Sequence, residues 1–123
     1  MFGRVLIANR GEIAQRVIRN RVALAATLTN FGRNNTVTDR WVSFLVERAQ
    51  GGTGLVISEV IAVDPEALAQ QAIVNGFDDA NDAGFRAAAE GVDAAGGALI
   101  GQLWHPGRQQ LWHPTKSPMG VSE

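Results

Sequence analysis

Ala98-Leu99-Ile100-Gly101-Gln102-Leu103-Trp104-His105-Pro106-Gly107-Arg108 is the stretch whose reading decides the fold. It opens as a short apolar run, as a buried parallel strand does, and then turns polar and aromatic without a break. Gln102 stands at that change. A primary amide at the end of an apolar strand carries N–H donors and an acceptor. It can therefore read the edge of a flat heterocycle, or cap backbone groups of the loop that follows. Trp104, His105 and Arg108 come next on a Pro-Gly turn, which sets aromatic and cationic groups at the mouth of whatever the strand lines.

Working back from this strand, Asp78 to Ala95 reads as an alanine-rich helix with Phe85, Ala88, Ala89 and Val92 on one face, stopped by Gly96-Gly97. Gly84 and Gly91 each weaken it by roughly 1 kcal/mol relative to alanine. Residues 64–78 form a long connection with a turn at Pro65 and a short helix from Glu66 to Gln71. Gly54 to Ile61 is a further strand whose polar pair, Ser58 and Glu59, is less usual than the strand itself. Such strand ends face the binding crevice of parallel α/β folds; the alternative is that Glu59 pairs with Arg40 or Arg48. Before it, Thr38 is a good N-cap with Asp39 in the first turn, and Trp41, Val42, Leu45, Val46 and Ala49 recur at helical spacing up to Gly51-Gly52. Asn20 to Phe31 is another apolar strand that ends in hydroxyls. At the start, residues 4–8 form a strand and Asn9-Arg10-Gly11 a turn. The helix from Glu12 to Arg19 carries Ile13, Ala14, Val17 and Ile18 on its apolar face. A single glycine there reads as a simple βα turn in preference to a phosphate site.

Strands alternating with helices imply a parallel sheet with helices outside it. The fold class expected is α/β. Residues 20–123 supply the N-terminal portion, about three βα units, of a TIM (β/α)8 barrel, incomplete and preceded by one extra βα unit. Three strands cannot close a barrel, so open sheet edges are expected, and with them self-association.

With 123 residues the chain holds one small domain, against about 250 for a whole barrel. A net charge of −1 gives no reason to expect nucleic acid or a membrane surface as partner. Cysteine is absent, which removes disulfides and thiolate chemistry. Arg4 and Arg10 bracket the first apolar run too closely for a signal peptide or a span, and a cytoplasmic location is expected. Leu-Trp-His-Pro occurs twice, at 103–106 and 111–114. The two histidines lack acidic or helical i,i+4 companions, so no metal is expected.

Two resemblances add to this. Gly101-Gln102-Leu103-Trp104-His105-Pro106-Gly107-Arg108 resembles the end of the third barrel strand in the old yellow enzyme family, the FMN-dependent NAD(P)H:flavin oxidoreductases. Asn20-Arg21 to Phe31 resembles that family's first strand, and Val56-Ile57-Ser58-Glu59-Val60-Ile61-Ala62-Val63-Asp64-Pro65 its second. The family passes hydride from NAD(P)H through FMN to an activated alkene. The resemblance implies that Ala25, Ala26, Thr27 and Leu28 lie along the isoalloxazine, that Val60 sits beside the ring, and that Gln102 bonds its pyrimidine edge. Leu28 stands where relatives often carry Thr or Cys, and Val60 where they tend to carry a small residue. The family's substrate-anchoring pair, proton-donating tyrosine and phosphate loops belong to later strands, and this chain has no tyrosine. A catalytic residue is therefore not assigned, and no turnover is expected from these residues alone. Residues 1–19, Met1-Phe2 followed by Val5-Leu6-Ile7-Ala8-Asn9-Arg10-Gly11-Glu12-Ile13-Ala14, resemble the start of biotin carboxylase. The expectation is a fusion joined near residues 19–20 and truncated after Glu123. The alternatives are an ATP-dependent ligase fragment and a non-catalytic assembly module.

Overall fold

A computed structural model of the protein describes residues 22–109. The carboxylase-like segment 1–19, with its strand and helix, and the second Leu-Trp-His-Pro copy at 111–114 lie outside the described residues.

Strand β2, Leu55–Ala62, is the axis of the sheet. Its Leu-Val-Ile-Ser-Glu-Val-Ile-Ala run is rich in β-branched side chains and suits a strand flanked on both edges. Every other strand runs parallel to it. On one edge, β4 (Ala98–Trp104) pairs along the whole length, from Leu55↔Ala98 to Ala62↔Trp104. The other edge is shared: β1 (Ala23–Leu24) pairs at Leu55 and Val56, and β3 (Val74–Asn75) at Ile61 and Ala62. Parallel neighbours need crossovers: α1 (Asp39–Gln50) carries the chain from β1 to β2 and α2 (Asp82–Ala94) returns it to β4, while residues 63–73 make the step from β2 to β3 without an α-helix.

The helices cover one face. Thr38 caps α1 by accepting from the Trp41 N–H at 3.2 Å, while its hydroxyl donates to the Phe31 carbonyl at 2.6 Å. Trp41, Leu45 and Ala49 from α1 and Ala88 and Val92 from α2 are buried with Val56 and Val74, and Leu24 and Leu99 pack against them. Leu24, Val56 and Leu99 are in register across β1, β2 and β4, which marks this as the helix-facing side. By strand alternation Ile57 and Ile100, also in register, face the opposite side, where they are only half-buried.

Four expectations change in detail. The first strand was expected to run to Phe31 but pairs only at Ala23 and Leu24, because the chain beyond is held by a β2 side chain instead of the ladder. The connection expected to form a helix over 66–71 makes one 3-10 turn, Pro65–Ala67, with the Asp64 carboxyl accepting from the Glu66 N–H at 2.8 Å. The helix expected over 78–95 begins with a separate 3-10 turn, Asp79–Asn81, and Ala89 faces solvent. The two helical glycines are contact points as well as weak ones. A Cβ on Gly84 would lie 2.5 Å from Val37 Cγ1 and 2.6 Å from its Cβ.

Gly84→Ala therefore tests one effect against another. Helix propensity alone would stabilise by about 1 kcal/mol. The overlap involves a Cβ that no rotamer can move aside, and overpacking of this kind costs about 1–3 kcal/mol. The net change expected in chemical denaturation is destabilising; a gain would show that Val37 shifts freely.

Among the described residues no helix is long and apolar enough to cross a membrane, and no group of three or more His, Cys, Asp or Glu could hold a metal.

Candidate functional site

The register of β2 against β4 slips once. Ile57 pairs with Ile100 but Val60 pairs with Gln102, three steps along β2 against two along β4. The extra residue is a β-bulge at Ser58–Glu59. A bulge breaks alternation: Ser58 and Glu59 are consecutive yet both buried, 1% and 2% exposed. Without it, Val60 would fall on the helix side. With it, Val60 joins Gln102 on the face of Ile57 and Ile100.

The two bulge side chains tie neighbouring strands together. The Ser58 hydroxyl donates to the Glu59 carbonyl at 2.7 Å and accepts the Gln102 N–H at 3.2 Å. Glu59 Oε2 accepts from the Thr29 hydroxyl at 2.7 Å and from the Thr29 N–H. Glu59 Oε1 is buried with no hydrogen-bond partner among the described residues. Of the two readings of Glu59, the ion pair with Arg40 or Arg48 is not formed among the described residues. Arg40 stacks on Phe31 at 3.9 Å, and Arg48 stacks on Phe44 at 3.7 Å while donating to Glu47 and the Phe44 carbonyl. These aromatic and charged groups line a cleft of about 300 Å³ beside α1, which none of the six expected site residues lines.

Those six residues gather at the C-terminal ends of β1, β2 and β4, where parallel α/β folds place their crevices. Ala25, Ala26, Thr27 and Leu28 continue directly from β1. Ala26 is half-buried, and Ala25, Thr27 and Leu28 are exposed. Asn30, with φ of 57°, then turns the chain away through a left-handed conformation that asparagine tolerates. Val60 is half-buried and packs with Trp104 against Ala62, Ala67 and Ile73, so the loop after β2 folds back onto this end. Gln102 is exposed. Beyond it His105 Nδ1 accepts the Gly107 N–H at 2.9 Å, and Nε2 is buried without a partner among the described residues. Thus Val60 and Gln102 are cross-strand neighbours, and residues 25–28 lie across β2 from Gln102. The role of Thr29 and the Ser58–Gln102 bond was not legible in sequence. The polar pair inside an apolar run was the one signal.

Comparison with known proteins agrees with this architecture. The model of the NADH:flavin oxidoreductase / NADH oxidase family matches residues 12–121. An NADH oxidase of Thermoanaerobacter brockii is 36% identical over 103 residues, covering 82% of this chain. A 2-naphthoyl-CoA reductase, solved in complex with 2-naphthoyl-CoA, superposes with a TM-score of 0.70 at 32% identity over 76% of the chain. The old yellow enzyme homologue of Zymomonas mobilis superposes at 0.67, with 28% identity over 73% of the chain. The chain spans 16% of the NADH oxidase and 14% and 25% of the two solved structures. The described sheet is the opening part of a TIM barrel, not closed on itself. The chain belongs to the NADH:flavin oxidoreductase / NADH oxidase family, whose cofactors are FMN and a nicotinamide hydride donor.

Proposed function

We propose that these strand ends form one face of an FMN site in an NAD(P)H-dependent oxidoreductase that reduces activated alkenes. The observation that carries this is the bulge-made pairing of Val60 with Gln102. It sets an exposed primary amide beside a half-buried apolar side chain, facing away from the helices, at the crevice end of a parallel sheet. The residues present fit an isoalloxazine: a flat amide-edged heterocycle needs apolar area and a few placed donors and acceptors. Ala25, Ala26 and Val60 offer the first, Gln102 the second, and buried Glu59 Oε1 and His105 Nε2 are polar atoms without partners among the described residues.

In this reading FMN, when bound, supplies hydride transfer from the nicotinamide to the alkene. Gln102 orients the pyrimidine edge, and Ala25, Ala26, Thr27 and Leu28 lie along the ring with Val60 beside it. Leu28 offers no hydrogen bond, and the nearby hydroxyls are otherwise engaged. Thr27 Oγ1 donates to the Ala25 carbonyl at 3.2 Å and Thr29 Oγ1 to Glu59. Gln102 then supplies the polar recognition on these three strands. Substrate anchoring and protonation fall to groups beyond them, so this chain is proposed to hold flavin without turning over alone. We propose residues 1–19 as a segment separate from the barrel portion 20–123; the family match itself begins at residue 12.

Titration of the purified chain with FMN, followed by flavin fluorescence and by co-elution of the yellow band on gel filtration, tests the site. Gln102→Ala is expected to weaken FMN binding about tenfold, the scale of one or two net hydrogen bonds. Equal retention by the variant would remove Gln102 from the site, and colourless wild-type protein would remove the function.

A further inference from the structure

We infer that Glu59 is a positioning residue, which through Thr29 fixes the segment that lies along the flavin; this rests on the FMN reading above. Residues 25–28 leave the ladder after Leu24, so no backbone pairing with β2 holds them. What ties their far end is a single carboxyl oxygen, Glu59 Oε2, which takes both the N–H and the hydroxyl hydrogen of Thr29. The Thr29 hydroxyl also accepts the Phe31 N–H at 3.2 Å, so the same atom sets the turn at Asn30.

Glu59 can reach Thr29 because the bulge turns it inward beside Ser58, and Ser58 in turn fixes the backbone of Gln102. One irregularity in β2 thereby sets three elements of the site at once: the β1 extension, Val60 and Gln102. A glutamate buried at 2% exposure, with one oxygen unpartnered among the described residues, is costly to keep for packing alone. An apolar residue would fill the space at lower cost, but could not accept two hydrogen bonds from Thr29.

The test uses amide hydrogen exchange and FMN titration on the full chain. Glu59→Ala should speed exchange of the Thr29 amide at least about tenfold and weaken FMN binding about tenfold, with the α1 amides of Leu45 and Val46 unchanged. Glu59→Gln retains an acceptor oxygen and should restore both toward wild type. If Glu59→Ala loses α1 protection as well, Thr29→Val decides: it removes the hydroxyl bond while leaving Glu59 in place, and should weaken FMN binding in the same direction. Unchanged Thr29 exchange in a folded Glu59→Ala protein overturns the clamp. Faster Thr29 exchange with unchanged FMN affinity overturns the positioning role. If wild-type protein binds no FMN, the flavin reading and its positioning corollary both fall, and the exchange data show separately whether the clamp exists.

Discussion

Asn81→Ala is expected to cost about 3 kcal/mol or more of stability, read as a lower urea midpoint with an unchanged slope. Asn81 is 1% exposed and spends its whole amide on backbone and side-chain partners. Its Oδ1 accepts the Val37 N–H at 2.7 Å, and its Nδ2 donates to the carbonyls of Asn35 and Asn75, at 3.2 and 3.1 Å, and to Asn75 Oδ1 at 3.1 Å. Truncation to alanine takes the amide partner from the Val37 N–H and the Asn75 carbonyl in a site shaped for it, while the Asn35 carbonyl keeps the Asn75 N–H and Asn75 Oδ1 keeps the Asp78 N–H. Asn35 extends the network by donating to the carbonyls of Gln70 and Ile73 at 2.9 and 2.8 Å. Three asparagines thus stitch the loop after β1 to β3 and to the start of α2. Asn81→Asp separates hydrogen bonding from size. It keeps an acceptor for Val37 but turns a second oxygen onto three other oxygens, so it should destabilise at least as much as alanine. If aspartate were the milder change, space-filling rather than the amide's donors would hold this corner.

How much of this could be read from sequence depends on whether the cause is local. Helix α1 was legible in detail, because Thr38, Asp39 and the apolar spacing act within a few residues, and Trp41, Leu45 and Ala49 are buried where that spacing put them. The parallel order followed from βα alternation. The asparagine network was not legible. Asn81 bonds Val37 across 44 positions, and a loop asparagine looks the same in sequence whether it makes a turn or bridges elements. The bulge was hidden for a different reason. Leu55 to Ala62 is apolar on both sides of Ser58-Glu59, so no alternation existed whose phase could be seen to slip. A carboxylate next to a serine in an apolar run allows a crevice-facing strand end or a cation partner such as Arg40 or Arg48, and neither reading points to the backbone and hydroxyl of Thr29, thirty positions away. Gly84 was half-legible for the same reason: its helix propensity is a local property, and its contact with Val37 is not.

Trp41→Ala should lower stability by about 3–5 kcal/mol, the usual cost of emptying a large aromatic site. Trp41 is 2% exposed at the centre of the helix-facing cluster, and its ring meets Phe85 edge-on with centroids 6.0 Å apart. No small side chain nearby can collapse into that volume, because Ala49 and Ala88 are fixed on their helices. The Thr38 cap does not compensate, since its bond to the residue 41 N–H is to backbone and survives the change. Trp41→Phe should recover about half of the loss. The effect on cofactor should differ from that of Glu59→Ala. Trp41 packs on the Leu24–Val56–Leu99 side, whereas alternation along β4 puts Gln102 on the other and the bulge in β2 brings Val60 there with it. Once the unfolded fraction is subtracted, FMN affinity of Trp41→Ala should stay within about twofold of wild type. A tenfold loss in the folded fraction would mean that helix packing sets the site as directly as the bulge does, and that the two faces of the sheet are not independent.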